Sequence, residues 1–281
     1  MQSPPRVVPL PASPLAVLRA RDWAHFVALP LASARPDAFR GDRVAAGVAP
    51  MAVAALALGY AYGLNAISDR TTDADVRKNP LVGQSACPST YLAAVGASGV
   101  MALLLAATLG RAPLAGAVVS IAAATLYSVG FRLKSLPFVG TLVNALIFSP
   151  LLALSLDQGF ARRPAAFDLL AVTFSGLLLQ NQLLHERADA SEDAGGGVFT
   201  TIRALGESRT RAGVWLIGAA TIATGAAVTP RTALLVLAFA AVVGSSASEL
   251  WSLPPAEHRR VHRWISLAGG AALYVVARGL G

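Results

Sequence analysis

Blocks of about 18 to 24 predominantly apolar residues recur along this chain of 281 residues, with short polar stretches between them. A helix needs about 20 apolar residues to cross the hydrocarbon core of a bilayer, so blocks of this length are typical of membrane-spanning helices. Hydrophobic residues make up 55% of the chain and charged residues 14%, which is too apolar for a soluble domain. We predict an all-α, polytopic transmembrane bundle of about nine helices, placed at residues 14–34, 43–67, 88–109, 112–131, 138–157, 166–187, 211–229, 231–248 and 262–279.

The positive charges predict how this bundle is oriented. With a cytoplasmic N-terminus, 15 of the 23 Lys and Arg residues fall on the cytoplasmic side, which is the side that basic loop residues favour. We therefore predict a multi-pass protein of the inner or plasma membrane, with residues 1–13 as a cytoplasmic tail and residues 14–281 as one transmembrane domain. In this topology the polar loops 68–87 and 188–210 both face the cytoplasm, so the acidic residues near them can meet.

The net charge of +8 does not indicate a nucleic-acid-binding protein, because the basic residues are scattered among the apolar blocks. Loops held against anionic membrane lipids explain the charge better. Cys87 is the single cysteine, which excludes an intrachain disulfide and a cysteine-based metal cluster. The sequence does not indicate an obligate protein partner.

The second predicted helix ends in the segment GLNAISDRTTDADVRKNPLVGQ, where Asn65, Asp69 and Asp73 recur every four residues. Four residues make about one helical turn, so the three side chains are predicted to line one face of the helix as it leaves the bilayer. We call these residues the first acidic motif. A single acid at a helix end is usually only a solvated loop charge, so this motif alone would indicate little.

The sixth predicted helix ends in NQLLHERADASEDAGGGVFTTIRALG, where the same four-residue spacing returns. His185, Asp189 and Asp193 form this second acidic motif, and Glu186 lies beside them in the sequence. Two stripes of matched period, both predicted on the cytoplasmic face, are hard to explain as solvated loop charges alone.

Carboxylates one helical turn apart repel each other, so two such stripes lose stability unless a positive group lies between them. Mg²⁺ suits this role because it prefers oxygen ligands and usually binds through one or two carboxylates together with the phosphates of a substrate. We therefore predict that Asp69, Asp73, Asp189 and Asp193 bind Mg²⁺ and through it a diphosphate, and that Asn65 assists them.

Two basic residues follow the first acidic motif, and two more lie within a later segment, LYSVGFRLKSLP. A diphosphate carries more negative charge than Mg²⁺ alone neutralises, and Arg and Lys side chains are its usual protein partners. Four basic residues are predicted to bind the substrate in this way: Arg77, Lys78, Arg132 and Lys134.

Two further residues are predicted to contact substrate, and each has a plain structural alternative. Tyr127 fits equally well an aromatic residue of the membrane interface. His185 fits equally well a polar residue at a helix end, satisfied by water or by a backbone carbonyl. The HERAD segment is not the HExxH motif of zinc proteases, because position 189 is Asp and no third ligand pattern follows. The glycines 195–197 are predicted to form a loop and not a phosphate cradle, since no strand precedes them.

Three segments resemble the UbiA superfamily of intramembrane prenyltransferases, and the resemblance covers nearly the whole chain. NAISDRTTD, followed by KNPL, resembles the first Asp-rich motif of the family, and ADASEDAGGGVFTTIRALG resembles the second. LYSVGFRLK resembles the segment between the fourth and fifth helices. The chain departs from the family pattern at Ala66, where many members have a second acidic residue, and at His185, where some have Asn.

The resemblance implies Mg²⁺-dependent transfer of a polyprenyl group from its diphosphate to an acceptor, commonly an aromatic ring, in quinone or related isoprenoid-lipid biosynthesis. It also implies a site open to membrane lipids, where a lipophilic acceptor would meet the polyprenyl diphosphate. The five residues that it implies for catalysis are Asn65, Asp69, Asp73, Asp189 and Asp193.

Two other functions remain as alternatives. A cation-coupled transporter is one, because ionisable residues in membrane helices often mark an ion path. Transporter sites tend to lie near the bilayer midplane, whereas both acidic motifs lie at predicted helix ends, which favours the enzyme. The other is a related enzyme that cyclises or hydrolyses the polyprenyl diphosphate without an acceptor.

Overall fold

The computed structural model describes residues 13–34, 44–73, 75–76, 78–156, 166–195, 198–228, 238, 242 and 248–279. The regular secondary structure of these residues is helical throughout, which confirms the predicted all-α class. The contacts divide the chain into two compact units. The first unit comprises Met1–Leu31, Asp37–Leu133 and Leu146–Phe160, and the second comprises Ala32–Pro36, Lys134–Ala145 and Ala161–Gly281. One transmembrane domain over residues 14–281 stays a prediction.

Four α-helices lie wholly within the described part of the first unit: α1 (Ala20–Trp23), α2 (Val44–Asp69), α3 (Ser89–Leu109) and α4 (Arg111–Ser128). Short 3₁₀ helices accompany them at Pro14–Leu18, Ala24–Ala32 and Ser149–Ala153. Helix α2 packs against α3 and α4, and the 3₁₀ helix Pro14–Leu18 packs against α2 and α3.

The segment 14–34 differs from the single membrane helix predicted there. Arg19 adopts a left-handed backbone conformation, with a φ angle of 54°, and so separates the first 3₁₀ helix from α1. Its side chain binds an acid three residues later, since Arg19 Nε donates a hydrogen bond of 2.8 Å to Asp22 Oδ2. The charged residues that interrupt this apolar block therefore also interrupt the helix.

Close helix contacts in the first unit depend on small residues and hydroxyl groups. A Cβ atom added at Gly99 of α3 would lie 2.8 Å from the ring of Tyr60 in α2. Glycine at this position therefore allows the two helices to pack closely. The Tyr60 hydroxyl in turn lies 2.8 Å from Thr125 Oγ1 of α4. Contacts of this kind are typical of helices that pack in a membrane, where burial of apolar surface does not drive association.

The second unit contains most of α5 (Val139–Phe148), together with α6 (Phe167–Gly195), α7 (Thr201–Val228) and α8 (Pro255–Gly279). Helix α6 packs against both α7 and α8. The buried Gln180 of α6 donates a hydrogen bond of 3.0 Å to the carbonyl of Val214 in α7. Helix α7 is interrupted at Gly206, whose φ angle of 75° suits glycine better than any other residue.

Four helical segments of the described chain are long and apolar enough to cross a membrane: Gly47–Asp69, Ser89–Leu109, Phe167–Ser191 and Thr201–Val228. Helix α6 continues to Gly195, so Asp189 and Asp193 lie on the helix itself and not in the loop predicted from residue 188 onwards. The predicted helix 231–248 lies outside the described residues apart from Ala238, Val242 and Ser248.

Candidate active site

Asp69 is the last residue of α2, and only 4% of its surface is exposed. Arg132 reaches it from the turn that follows α4, and Arg132 Nη2 donates a hydrogen bond of 3.1 Å to Asp69 Oδ1. The turn reverses the chain within a few residues, because Gly130 and Arg132 both have positive φ angles, of 67° and 44°. The guanidinium compensates the charge of a carboxylate that would otherwise be costly to bury.

Asp73 lies one turn beyond the end of α2, and its N–H still donates a hydrogen bond of 2.8 Å to the carbonyl of Asp69. The four-residue period of the first acidic motif therefore continues past the regular helix. Asn79, which is fully buried, donates from Nδ2 to Asp73 Oδ2 at 2.8 Å and to the carbonyl of Ala66 at 2.9 Å. Its Oδ1 accepts from the N–H of Leu81 at 2.9 Å. Asn79 thus orients a predicted metal ligand.

Sequence reasoning did not assign Asn79 to the site. The available signal was the polar amide in KNPL directly after the first acidic motif. Asn in such a turn is usually satisfied by its own backbone, so the pattern did not distinguish a local turn residue from one that binds Asp73.

Asn65 is connected to the end of α4. Ser128 Oγ lies 3.3 Å from Asn65 Oδ1 as a hydrogen-bond donor, and Ser68 Oγ donates to the carbonyl of Ser128 at 2.6 Å. These contacts hold the ends of α2 and α4 together. Tyr127, the neighbour of Ser128, is half-buried at the same helix end.

The other basic residues predicted to bind substrate are placed differently from Arg132. Lys78 is exposed in the segment after α2. Arg77 lies outside the described residues. Lys134 is half-buried in the 3₁₀ helix Leu133–Ser135 and belongs to the second unit, whereas Arg132 belongs to the first.

In the second acidic motif, His185 and Asp189 are neighbours on one face of α6. His185 Nδ1 lies 3.0 Å from Asp189 Oδ2, and both side chains are partly exposed. Asp193 is half-buried one turn further on, and its carbonyl accepts a hydrogen bond of 2.9 Å from the N–H of Val198. The predicted stripe is therefore present, with its first two members in contact.

Glu186 and Arg187 contact other parts of the second unit. Glu186 accepts a hydrogen bond of 2.7 Å from Thr141 Oγ1 in α5. Arg187 Nη1 lies 3.2 Å from His258 Nδ1 in α8. Because Arg can only donate, His258 Nδ1 must accept, which assigns the proton of a neutral imidazole to Nε2. Burial and the neighbouring Arg187 charge lower the pKa of His258 to about 4.

The oxygen-rich composition of both motifs fits Mg²⁺ better than a softer metal. Within the described part of the chain, no group of three or more His, Cys, Asp or Glu side chains is close enough to hold a metal ion without further ligands. The two motifs supply carboxylate and amide oxygens at helix ends, in buried or half-buried positions. This donor set suits an ion that completes its coordination with waters and phosphate oxygens.

The helices and these side chains define a polytopic helical membrane protein with carboxylate groups at the ends of its helices. The chain belongs to the UbiA prenyltransferase family, whose sequence model matches residues 23–268. The resemblance seen in the sequence is therefore confirmed. No curated protein matches the chain by sequence.

Solved structures share the fold at low sequence identity. A UbiA homolog from Archaeoglobus fulgidus bound to DMAPP and Mg²⁺ has a TM-score of 0.74 and 19% identity, over 94% of this chain and 100% of that one. The same homolog bound to GPP and Mg²⁺ gives the same values. A structure of digeranylgeranylglyceryl phosphate synthase has a TM-score of 0.69 and 13% identity, over 94% of this chain and 97% of that one.

Proposed function

We propose that this protein transfers a polyprenyl group from its diphosphate to a lipophilic, aromatic acceptor, in a Mg²⁺-dependent reaction that uses the residues of both acidic motifs. The observation that carries the proposal is the buried Asp69 carboxylate at the end of a membrane helix, paired with Arg132. Membership of the UbiA prenyltransferase family supports it, as do the homolog structures with DMAPP, GPP and Mg²⁺.

The metal ligands in this proposal are Asp69, Asp73, Asp189 and Asp193, with Asn65 close to the first pair. Mg²⁺, when bound, would offset the charge of the diphosphate and stabilise it as a leaving group. Asn79 holds Asp73 through its amide, so that carboxylate is oriented before the substrate arrives.

The basic residues bind the diphosphate charge that the metal leaves uncompensated. Arg132 has five N–H donors, and its hydrogen bond to Asp69 uses Nη2, so the same guanidinium can also donate to a phosphate oxygen. Lys78, Arg77 and Lys134 supply further positive charge along the same polar segments.

The place of the motifs at helix ends suits an amphiphilic substrate. Moving a polyprenyl tail from lipid to water costs about 0.8 kcal/mol of free energy for each CH₂ group, so the tail stays in the bilayer. The diphosphate must remain hydrated or bound to charged groups. A site where membrane helices end satisfies both requirements, and we place it, together with the N-terminus, on the cytoplasmic side of the inner or plasma membrane.

The reaction breaks the bond between C1 of the prenyl group and the diphosphate oxygen, and the electron pair leaves with the diphosphate. The allylic carbon then forms a bond to a ring carbon of the acceptor, which loses a proton. Apolar helices around the site exclude water, which would otherwise capture the allylic cation as an alcohol. Products of this type serve as precursors of quinones and related isoprenoid lipids.

The test is transfer activity in detergent, with prenyl diphosphates of several lengths and a set of aromatic acceptors. Asp69→Asn and Asp189→Asn should each lower the Mg²⁺-dependent rate at least 100-fold, because each removes a charge that the metal needs. Asp168→Asn is the matched control, since Asp168 lies in the first turn of the same helix as Asp189, at its opposite end. Full activity in the first two variants would show that the assignment is wrong.

Two outcomes would favour the alternatives instead. Product that forms equally well without an acceptor would indicate a cyclase or a hydrolase. Substrate-linked ion flux in proteoliposomes, without release of diphosphate, would indicate a transporter.

A further inference from the structure

The carboxylate of Glu186 is buried within the second unit and is surrounded by neutral donors. Only 7% of the residue is exposed. Thr141 Oγ1 donates to Oε1 at 2.7 Å, the N–H of Ile202 donates to Oε2 at 3.3 Å, and Gln182 Nε2 lies 3.5 Å from Oε1. Within the described part of the chain, no basic side chain forms an ion pair with Glu186. A buried charge held only by neutral groups is a poor source of stability, but it requires donors at defined positions.

These hydrogen bonds run in one direction. Thr141 has a single hydroxyl proton, and that proton goes to Glu186. The contact of 2.8 Å between Thr141 Oγ1 and Thr201 Oγ1 must therefore use the proton of Thr201. Thr201 Oγ1 in turn accepts a hydrogen bond of 2.9 Å from the N–H of Phe138. Phe138 has a φ angle of 63°, which is strained for a residue with a side chain and needs support from its surroundings.

Arg187, the next residue, is anchored on a different side of α6. Its Nε donates to Glu207 Oε1 in α7 at 2.8 Å, and Nη2 donates to the carbonyl of Trp251 at 3.2 Å. Its guanidinium also lies 4.8 Å from the centre of the Trp251 ring. Neighbouring side chains on a helix point about 100° apart. Contacts in two such directions oppose both rotation and sliding of α6 at this level.

We infer that Glu186 is a positioning residue of the site, an inference that rests on the proposed function. It holds α6 at the rotation that presents His185 and Asp189 on the adjacent face. Through Thr141 it also anchors the start of α5, seven residues after Lys134. Both a predicted metal ligand and a predicted diphosphate ligand therefore depend on one buried carboxylate that contacts neither.

Two substitutions of different severity test this inference. Glu186→Gln replaces one of the two acceptor oxygens by an NH₂ group, which donates. Either the Thr141 hydroxyl or the N–H of Ile202 then faces this donor instead of an acceptor. Thr141→Val removes one donor at nearly constant shape. Thr221→Val is the matched control, because Thr221 is also buried but donates only within its own helix, to the carbonyl of Ile217 at 2.7 Å.

Three quantities should be measured in detergent for each protein: kcat, the Mg²⁺ concentration for half-maximal rate, and the Mg²⁺-dependent affinity for inorganic diphosphate. Displacement of a ligand by about 1 Å can cost about 100-fold in rate. We expect Glu186→Gln to lower kcat about 10- to 100-fold and to weaken Mg²⁺-dependent diphosphate binding about tenfold. Thr141→Val should act in the same direction with a smaller effect, and Thr221→Val should stay within twofold of the parent protein.

The inference would be overturned if the Glu186→Gln and Thr141→Val proteins were less stable than the parent yet bound Mg²⁺ and diphosphate as the parent does, since the role would then be structural only. A parent protein that binds Mg²⁺ and diphosphate but transfers no prenyl group would refute the proposed function alone. The diphosphate affinities of the variants, compared with that of the parent protein, would still test this inference. A parent protein without Mg²⁺-dependent diphosphate binding would overturn both.

Discussion

Arg132 donates a hydrogen bond of 3.1 Å to Asp69, across 63 residues of the chain. The Asp69 side chain is almost fully buried, whereas 38% of the Arg132 side chain is exposed. The pair therefore has one buried member and one that solvent or substrate can reach. An arginine in this position can respond to an arriving phosphate without leaving the carboxylate unpaired, since its fork of donors can serve both groups.

Arg132→Ala should raise the KM for the prenyl diphosphate about 10- to 100-fold, because a hydrogen bond to a charged group contributes about 1.5–3 kcal/mol. Arg132→Lys should recover only part of this loss, since an ammonium cannot donate to Asp69 and a phosphate in the same planar geometry. Steady-state kinetics with varied diphosphate would measure both effects. Equal KM values for Arg132→Ala and the parent protein would exclude a role for Arg132 in substrate binding.

Asn79→Ala should destabilise the folded protein by about 2–4 kcal/mol, because it removes three hydrogen bonds from a fully buried side chain. It should also raise the Mg²⁺ concentration needed for activity, since Asp73 loses the group that orients it. Thermal unfolding in detergent and Mg²⁺ titration of the rate would measure the two effects. Thr71→Ala, at an exposed position of the same segment, should change neither.

Gly63→Ala should destabilise the first unit by about 1–3 kcal/mol through overpacking. The added Cβ would lie 2.6 Å from Val95 Cγ2, so the Val95 side chain or one of the two helices must shift. Gly96→Ala is the matched control on α3, because no atom lies within 4 Å of its added Cβ. That variant should be neutral or slightly more stable. Unfolding temperatures in the same detergent would compare the two, and equal values would contradict the packing described for Gly63.

The free energy of unfolding should fall as the pH is lowered from about 6.5 towards 4, in part because of His258. Burial and then the charge of Arg187 lower its pKa from 6.5 to about 4 in the folded state, so between these values the unfolded chain binds the proton more readily. The contribution of His258 to the free energy of unfolding is fully present above pH 6.5 and is lost as the pH falls towards 4. The groups that face or neighbour this ring are Arg187, Trp251, Arg259 and His262.

Thermal unfolding of the parent protein and of His258→Asn at pH 7.5 and pH 5.5 would measure this effect. The parent should lose more stability between the two pH values than the variant does. His25→Asn, which changes a histidine of the first unit, should keep the pH dependence of the parent. A variant His258→Asn with an unchanged pH dependence would show that another group is responsible.

Much of the fold follows from local patterns. The end of α2 near residue 67 and the start of α3 at residue 89 were predicted to within two residues, because bilayer thickness and polar loops set those boundaries. The 14–34 segment was not, since Arg19 adopts a left-handed backbone conformation that separates two short helices there. Helix α6 was predicted too short, because the acidic segment after residue 187 is polar yet still helical.

The amino-acid sequence by itself determined the class of protein, the family and the two acidic stripes, since apolar block length and four-residue spacing are properties of single helices. Only the tertiary structure decided the partners within each unit: Arg132 for Asp69, Asn79 for Asp73, and Thr141 for Glu186. Hydrogen bonds need heavy atoms within about 3 Å of each other. Between residues far apart in the chain, that distance depends on how helices pack and where turns reverse, which residue spacing alone does not specify.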